Sequence, residues 1–528
     1  MTDDINPYIE KQGEELFITE TGRELLQELV TDTSGNVYVF TPKASPLLVA
    51  AAMARLSRSP HDLRKTYLNE FAVDPRHAEN LIDRVVAGYG DDSVQQLFGM
   101  HLVVENASNL LTKKLEWGRF LSYLEQSTRY IFFDQKINGA YRYYVPDHLP
   151  NEVKHTYIRL MDNIFTHYSH MVRDLTEYLR KKHADIRTES GDVVWKNTTR
   201  AQACDAVRPT LPAATTSTVG IYGSSQGIES LIIHLLSEEI PEFQKAGKDI
   251  LREAEKVAPS FMKRAGMANR GLVTAHYLQE KRRVICELAA QEIRGTPCGS
   301  EKVALIDYWP ANELDLVPEM LFSETNWSLS EIRKKTAGWT DEEKSRVFDA
   351  YIGIRQNRRH KPGRALEKVH YEWEIVGDYG TFRDLQRHRV VDSWEWQRLT
   401  PGYGYRIPSL ISEAGMEETF KKCFVLSETL YHYLRDAGFE EEAQYATLLG
   451  HNMRYRFLLN GRASFHFLEL RSQPAGHPGY RAIVTEMHRQ LSQVHPRIGS
   501  AMTFINKADV HLSRLEAEKA TQEKLNRL

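Results

Sequence analysis

Cysteine is scarce in this 528-residue chain. The four cysteines are Cys204, Cys286, Cys298 and Cys423, and no two of them form a C-x-x-C pair. The spacing therefore indicates neither a zinc ribbon nor a redox dithiol, and we predict no metal site. Sparse and unpaired cysteine is typical of proteins that work in a reducing compartment.

Long apolar runs and a charge excess of one sign are also missing. Hydrophobic residues make up 41% of the chain and charged residues 26%, as in ordinary globular proteins. No apolar run is long enough to span a bilayer, and the acidic start at 1–4 is unlike a signal peptide. The net charge of -3 excludes a broad basic field for duplex nucleic acid, although local basic pockets stay possible. We expect a cytoplasmic protein with no membrane or nucleic-acid partner.

The order of predicted elements occurs twice along the chain. The first series contains a strand at 36–41, a buried helix at 46–57 and a long helix at 151–182, and a second series of the same kind follows it. That series begins with a strand at 303–308 and a helix at 314–322 and reaches a long helix at 416–437. We interpret this order as a duplication of a unit of roughly 200 residues, which favours two domains over a repeat array. The predicted divisions are an N-terminal extension (1–35), domain 1 (36–265), a connector (266–300), domain 2 (301–506) and a charged helical tail (507–528).

A dense polar cluster stands in the second half. Arg387, His388 and Arg389 are consecutive, and Glu395 follows between two tryptophans. Such a cluster among aromatic residues is costly to bury unless it is paired or binds a ligand. Arginine suits planar, bidentate binding of phosphates, so the stretch indicates an anion or nucleotide site. A solvated basic turn is the alternative.

A weaker version of this cluster occurs at 119–130. If the backbone there is extended, Glu125, Ser127 and Arg129 project to one side because strand side chains alternate. A carboxylate, a hydroxyl and a guanidinium on one side can contact both a hydrogen-bonding ring and a phosphate. The alternative is a capped helix start with an ordinary ion pair.

Two further stretches carry candidate binding residues. Arg208 precedes prolines, a position more often found simply at the surface. The stretch 460–471 places Asn460, Arg462, His466 and Arg471 within an apolar segment. Polar groups in such a segment need partners, which a bound cofactor or a buried structural network could supply.

Together these stretches resemble the flavin-dependent thymidylate synthases, the ThyX family. That family's signature is Arg-His-Arg-x-x-Ser-x-Asn-Glu-x-Ser-x-Arg-Tyr, with a later Ala-Arg-x-x-Leu-Pro segment and an Asn-x-Arg…Phe-Leu-x-Leu-Arg segment. The resemblance covers roughly 36–262 and 301–505 and is strongest at the motifs. It implies an α+β fold of two tandem ThyX-like domains that pair as a pseudo-dimer, each with a mixed or antiparallel sheet and long helices.

The second half retains one part of the signature. The triplet at 387–389 and Glu395 match, and the closing segment matches at Asn460, Arg462, His466 and Arg471. The family's later serine and arginine are replaced by Gln397 and Leu399, and Gln444 stands where the pre-proline arginine belongs. Asp392 and Trp394 replace the usual serine and asparagine.

The first half retains the complementary part. Trp117 and Gly118 stand where the family has arginine and histidine, and the region 224–237 has no arginine. The positions that match are Ser122, Glu125, Ser127, Arg129, Tyr130 and Arg208.

The resemblance implies composite sites, because the family's active site lies between subunits of a tetramer. Each half of this chain would supply one side, and a homodimer would take the place of the tetramer. The implied dUMP-binding residues are Glu125, Ser127, Arg129, Arg208, Arg387 and Arg471, with Arg471 catalytic in stabilising charge on the uracil ring. The implied FAD-binding residues are Arg387, His388, Arg389, Glu395, Asn460, Arg462 and His466.

The implied reaction is the FAD-dependent reductive methylation of dUMP to dTMP, with methylenetetrahydrofolate as carbon donor and NADPH as reductant. Two alternatives stay open. A flavin enzyme could act on another pyrimidine nucleotide or transfer another one-carbon unit, which Asp384 favours because the family usually has glutamine there. The second alternative is a flavin- or nucleotide-binding homologue without turnover.

Overall fold

The computed structural model describes residues 6–56, 58–89, 92–295, 302–508 and 515–525. Cys298 and parts of the predicted extension, connector and tail lie outside these ranges. The strands of the described residues are β1 (Ile9–Gln12), β2 (Glu15–Ile18), β3 (Gly99–Ser108), β4 (Leu121–Glu125), β5 (Thr216–Ser224), β6 (Val303–Trp309), β7 (His370–Asp378), β8 (Ser393–Trp396) and β9 (Asn452–Asn460).

Helices form most of the rest of the described chain. They are α1 (Glu20–Leu29), α2 (Pro46–Ala54), α3 (Leu63–Glu70), α4 (Pro75–Ile82), α5 (Asp92–Gln95), α6 (Asn109–Leu115), α7 (Asn151–Lys182), α8 (Ala184–Ser190), α9 (Asp192–Val207), α10 (Ser225–Leu236), α11 (Pro241–Val257), α12 (Pro259–Gly266), α13 (Gly271–Glu292), α14 (Val317–Leu321), α15 (Leu329–Thr336), α16 (Asp341–Ile352), α17 (Tyr379–Gln386), α18 (Ser409–Glu413), α19 (Glu417–Asp436), α20 (Glu440–Ala443), α21 (Gly461–Arg471), α22 (Pro478–Val494), α23 (Pro496–Ala501) and α24 (Leu515–Leu525). The combination of long helices with small antiparallel sheets confirms the predicted α+β class.

The chain packs into two compact units, each built from separate stretches of sequence. The first unit contains Met1–Glu105, Lys114–Glu125 and Thr218–Gly295, and the second contains Asn106–Lys113, Gln126–Ser217 and Thr296–Leu528. The second unit therefore includes a long stretch of the first half of the sequence. The domain boundaries predicted from the repeated order stay a prediction.

The first unit is largely helical. In its small sheet β4 pairs antiparallel with β5, so that Leu121 lies opposite Gly223 and Glu125 opposite Val219. The helices α10, α11 and α12 pack together and bury apolar side chains such as Ile232.

The second unit is built on an antiparallel sheet with the strand order β6-β7-β9-β8. Tyr371, Trp373 and Ile375 of β7 are fully buried at alternate positions, and Tyr455 and Phe457 of β9 are buried in the same way. Because strand side chains alternate between faces, this period of two turns one face of the sheet toward the core. The sheet therefore gives a fixed support to the helices that begin where its strands end.

Equivalent elements of the two sequence halves meet inside the second unit. The long helices α7 and α19 pack against each other. Beside them the segments 209–213 and 447–450 pair antiparallel: Ala213 N donates to Thr447 O at 2.7 Å, and Leu449 N donates to Leu211 O at 2.8 Å. This packing brings the pre-proline segment of the first half next to its counterpart in the second.

One predicted element differs from the structure. No strand forms at 36–41, where Val37 and Val39 are exposed and Phe40 makes a single isolated bridge with Val30. The strand-like residues at 36–41 do not form a strand, because residues with high β propensity need a partner strand and a buried face to pack against. The strand at 303–308 and the helices at 46–57, 151–182 and 416–437 are confirmed to within a few residues as β6, α2, α7 and α19.

Among the described residues, no helix has the length and apolar character that crossing a membrane requires.

Candidate functional site

The helix α17 carries the first pair of the candidate site. Strand β7 ends at Asp378, whose side chain caps α17 by accepting from Thr381 N at 2.8 Å. Asp384 and Arg387 lie three residues apart and so share one helix face. Arg387 Nη2 donates to Asp384 Oδ1 at 2.6 Å.

Arg129 reaches the same unit from the first half of the sequence. Strand β4 ends at Glu125, and the chain then turns, with Arg129 N donating to Ser127 Oγ at 3.2 Å. The extended backbone considered for 125–129 therefore does not continue past the strand. Arg129 instead binds Asp205 of α9 in a bidentate pair, with both N–O distances 2.6 Å.

Arg208 joins the two sequence halves. It follows α9, and its Nη2 donates to Asp384 Oδ2 at 2.9 Å with both side chains buried. Asp384 thus binds one arginine from each half of the sequence, since its other oxygen accepts from Arg387. We name the set Arg129, Asp205, Arg208, Asp384, Arg387 and Arg471 the Asp384 cluster.

Both carboxylates of the cluster are charged. Burial raises the pKa of Asp384, but Arg208, Arg387 and Arg129 outweigh it and hold the pKa well below its usual range. Burial likewise opposes ionisation of Asp205, and the bidentate bond from Arg129 lowers its pKa overall. Burial lowers the pKa of the Arg129 guanidinium, but the pair with Asp205 outweighs burial and raises that pKa overall. The buried charges therefore stabilise one another.

Arg471 belongs to the cluster because the charges of Asp384 and Arg387 both act on its guanidinium. It ends α21, and burial lowers the pKa of its guanidinium. Its Nε is shielded from solvent and has no hydrogen-bond partner, while the ring of Tyr480 lies 5.6 Å from the guanidinium carbon. A buried donor without an acceptor is costly, and a bound ligand would satisfy it.

His388 and His466 form a second group near Arg471. Their ring centroids are 4.9 Å apart, and Phe467 lies 4.9 Å from His388. Burial, followed by the charge of Arg471, lowers the pKa of His388 to about 3, so the ring is neutral at pH 7. Its Nε2 is buried with no hydrogen-bond partner. A neutral imidazole with an unused ring nitrogen can donate to or accept from a planar heterocycle.

Other predicted site residues have structural partners. Glu395 is exposed on β8 and pairs with Arg456 at 2.7 Å. Asn460 caps α21 by accepting from Ala463 N at 2.8 Å. Arg462 donates to Glu367 and to the carbonyl of Pro362, each at 2.9 Å. Arg389 is exposed, and Glu125 belongs to the first unit. The partners of Glu395, Asn460 and Arg462 thus lie outside the Asp384 cluster.

The positions that lost their arginines in the second half form a neutral pair. Leu399 is buried, and its backbone N donates to Gln444 Oε1 at 3.2 Å. Leu399 and Gln444 correspond by motif to Arg129 and Arg208 of the first half. At these two second-half positions a backbone N–H thus donates to a side-chain amide. At the matching first-half positions the Asp384 cluster has two guanidiniums.

Sequence patterns do not indicate Asp205 or His477 as site residues, and they mark Asp384 without indicating its partner. Asp205 precedes Arg208 by three residues within an otherwise apolar run, a spacing that could have indicated a shared helix face. His477 caps α22, and its pKa is lowered by burial and by the nearby charge of Arg208. Such contacts join residues far apart in sequence and depend on the fold.

Comparison with known proteins supports the motif assignment. The sequence model of the family described as thymidylate synthase complementing protein (Thy1) matches residues 40–260 and 304–497. A UPF0159 protein of Chlamydia muridarum is 31% identical over 97% of this chain and 99% of its own length. A UPF0159 protein of Chlamydia pneumoniae is also 31% identical, covering 96% and 98% of the two chains. A third, from Thermoplasma acidophilum, is 28% identical over 89% and 97%.

The two matched regions span most of the sequence and correspond to its two halves. Both contain the motifs that carry the resemblance, and the chlamydial relatives align with nearly the whole chain. The chain therefore belongs to the Thy1, or ThyX, family of thymidylate synthase complementing proteins, as a tandem member.

Proposed function

We propose that this protein catalyses the reductive methylation of dUMP to dTMP, with methylenetetrahydrofolate as carbon donor, NADPH as reductant and FAD as cofactor. The observation that carries the proposal is the Asp384 cluster, in which one compact unit gathers arginines from both sequence halves. Family membership supports a thymidylate synthase-like activity in general terms.

The charge of the cluster suits a nucleotide phosphate. Four arginines and two aspartates give a net charge of +2 (four positive minus two negative). A phosphate monoester carries about two negative charges near neutral pH. We propose that Arg129 and Arg208 turn unused N–H groups toward the phosphate while Asp205 and Asp384 fix their orientation.

The residues near Arg471 fit a flavin. His388 Nε2 and Arg471 Nε are buried polar atoms without partners, and Phe467 gives His388 an apolar support. When bound, FAD supplies the redox chemistry of the reaction. His388, His466, Arg387 and Arg389 would hold it, with Glu395, Asn460 and Arg462 as further predicted contacts.

Arg471 is the proposed catalytic residue. Its buried guanidinium would bind the uracil edge and stabilise the negative charge that develops on the ring. Because Arg471 Nε is shielded from solvent, that interaction is stronger than it would be at the surface. Ser127 and Glu125 complete the proposed dUMP-binding set.

The test is rescue of a bacterial strain that requires thymidine, together with dTMP formation by the purified protein. We expect rescue by the native chain and loss of roughly 10²–10³ in rate for Arg471→Ala and Arg129→Ala. Arg252→Ala is a matched control, because Arg252 is an exposed arginine of α11 that pairs with Asp249 and Glu253, outside the proposed site. Near-native dTMP formation by Arg471→Ala would refute the assignment.

One observation favours a different substrate. Asp384 occupies both Arg208 and Arg387, which reduces the positive charge available to a phosphate. A flavin enzyme acting on another pyrimidine nucleotide, or with another one-carbon unit, is therefore the second candidate. A folded, yellow protein that fails to rescue would support it, whereas a colourless protein would point to a role without flavin turnover.

A further inference from the structure

A separate cavity of about 650 Å³ lies in the second unit. Three segments form it: the loop after Arg129, the outer face of α7, and α9. Its volume is within the range of small-molecule sites, about 300–1,000 Å³. The lining residues are Phe132, Asp134, Gln135, Arg173, Thr176, Glu177, Arg180 and Arg200.

The acidic groups of this cavity are already paired. Asp134 accepts from Arg173 Nε at 2.7 Å, and Arg173 Nη2 also donates to the Asp134 carbonyl at 3.2 Å. Glu177 pairs with Lys181, one turn further along α7, at 3.0 Å. The cavity's carboxylates therefore have cationic partners of their own and do not neutralise its other arginines.

Two guanidiniums of the lining lack such partners. Among the described residues, neither Arg180 nor Arg200 lies within ion-pair distance of a carboxylate. Arg180 Nε is shielded from solvent and forms no hydrogen bond. A half-buried guanidinium with an unsatisfied donor favours an anionic acceptor, because the ligand would supply both the charge and the hydrogen bond.

Aromatic rings hold both guanidiniums in place. The Arg200 guanidinium carbon lies 4.5 Å from the centre of the Phe132 ring, and that of Arg180 lies 5.5 Å from the Trp195 ring. Such stacking leaves the N–H edges available while restricting the side-chain rotamers. Less conformational entropy is then lost when a ligand binds.

We propose that this cavity binds an organic anion with a multiply charged phosphate or carboxylate head, held by Arg180 and Arg200. The lining contains no member of the Asp384 cluster and neither His388 nor His466. The site is thus distinct from the proposed dUMP and FAD positions, and the inference does not depend on the proposed reaction.

The test is calorimetric titration of the purified full chain with ADP, inorganic pyrophosphate and citrate at moderate salt. We expect at least one probe to bind with a Kd below about 1 mM, and each of Arg180→Gln and Arg200→Gln to weaken it about tenfold or more, equivalent to about 1.4 kcal/mol. Arg187→Gln is the matched control: Arg187 also stacks on Trp195, at 5.0 Å, but pairs with Asp192 and does not line the cavity.

Arg129→Gln separates the two anion sites, because cavity binding should be unchanged in that variant. Preference for ADP or pyrophosphate identifies a phosphate ligand, and preference for citrate identifies a carboxylate ligand. Failure of all three probes to bind the native chain overturns the proposal, as does equal binding by the native, Arg180→Gln and Arg200→Gln proteins. If a glutamine variant does not fold, the lysine variant at that position replaces it, since lysine keeps the charge but loses the planar fork.

Discussion

At the scale of single residues, Asp384 has the largest structural effect in the candidate site. It is buried and accepts from Arg208 and Arg387, which belong to different sequence halves. A lone buried arginine is costly, whereas a pair with satisfied hydrogen bonds is tolerated. Asp384 therefore holds two guanidiniums in a form that remains stable without a nucleotide.

Replacing Asp384 with asparagine should destabilise the fold by about 3–5 kcal/mol, because the buried Arg208 guanidinium loses its counter-charge and the partly exposed Arg387 loses an ion-pair partner. Urea denaturation measures this change. Glu395→Gln is the control and should cost about 1 kcal/mol or less, since its pair with Arg456 is exposed. We also expect inorganic phosphate to restore part of the stability lost in Asp384→Asn; equal stability of the two variants would contradict the role given to Asp384.

Two buried histidines should make stability depend on pH. Burial lowers the pKa of both His388 and His451 to about 3, while in the unfolded chain each titrates near 6.5. Below pH 6.5 the unfolded state therefore binds more protons than the folded state, so stability falls as pH falls toward 3.

At pH 5 each of these histidines should contribute about 2 kcal/mol of lost stability relative to pH 7.5. The measurement is the free energy of unfolding in urea at both pH values. His388→Gln should reduce the difference in unfolding free energy between the two pH values by about 2 kcal/mol, the contribution of one histidine. If the free energy of unfolding does not change between pH 7.5 and 5, the two rings take up protons in the folded state over the same pH range as in the unfolded chain.

At the scale of elements, the helices that carry site residues begin where sheet strands end. Strand β7 ends at Asp378, which caps α17, and β9 ends at Asn460, which caps α21. The first helix places Asp384, and the second ends at Arg471. Capping therefore fixes the start of each helix, and helical geometry then sets where the functional side chain lies.

Asn460→Ala should lower stability by about 1 kcal/mol, because Ala463 N loses its acceptor at the first turn of α21. Asn460→Ser should stay within a few tenths of native, since serine is an equally good cap. Urea denaturation tests both, and flavin affinity gives an independent measurement. If Asn460→Ser keeps its stability but loses flavin, Asn460 contacts the cofactor directly as the resemblance implies.

The sequence predicted the long elements well and the short or dependent ones poorly. Helix α7 follows from 32 residues without glycine or proline, whereas the apparent strand at 36–41 found no ladder partner. The arginines of the site could be identified by motif. Their pairing with Asp205 and Asp384 could not, because those contacts span 76 and 176 residues of sequence.

At the scale of the whole molecule, the two halves of the sequence have diverged in complementary ways. The second unit contains one Asp384 cluster, while the reciprocal positions hold Leu399 and Gln444. If the flavin site needs both complementary sets, each chain should bind one FAD.

Flavin stoichiometry tests this directly. We expect one FAD per chain, measured from flavin absorbance after denaturation and protein concentration by amino-acid analysis. Restoring the lost arginines with Leu399→Arg and Gln444→Arg should not create a second site, because Trp117 and Gly118 still replace the first half's arginine and histidine. Two flavins per chain would refute the composite arrangement.

The second unit combines segments from both halves of the sequence, and this determines whether the Asp384 cluster depends on protein concentration. Arg129, Asp205 and Arg208 come from the same polypeptide as Asp384 and Arg387. Their encounter is therefore unimolecular, and its effective concentration is set by the fold and not by the amount of protein present. A site divided between separate subunits weakens when the assembly dissociates. In this chain the arginine–aspartate contacts should persist at nanomolar protein concentration.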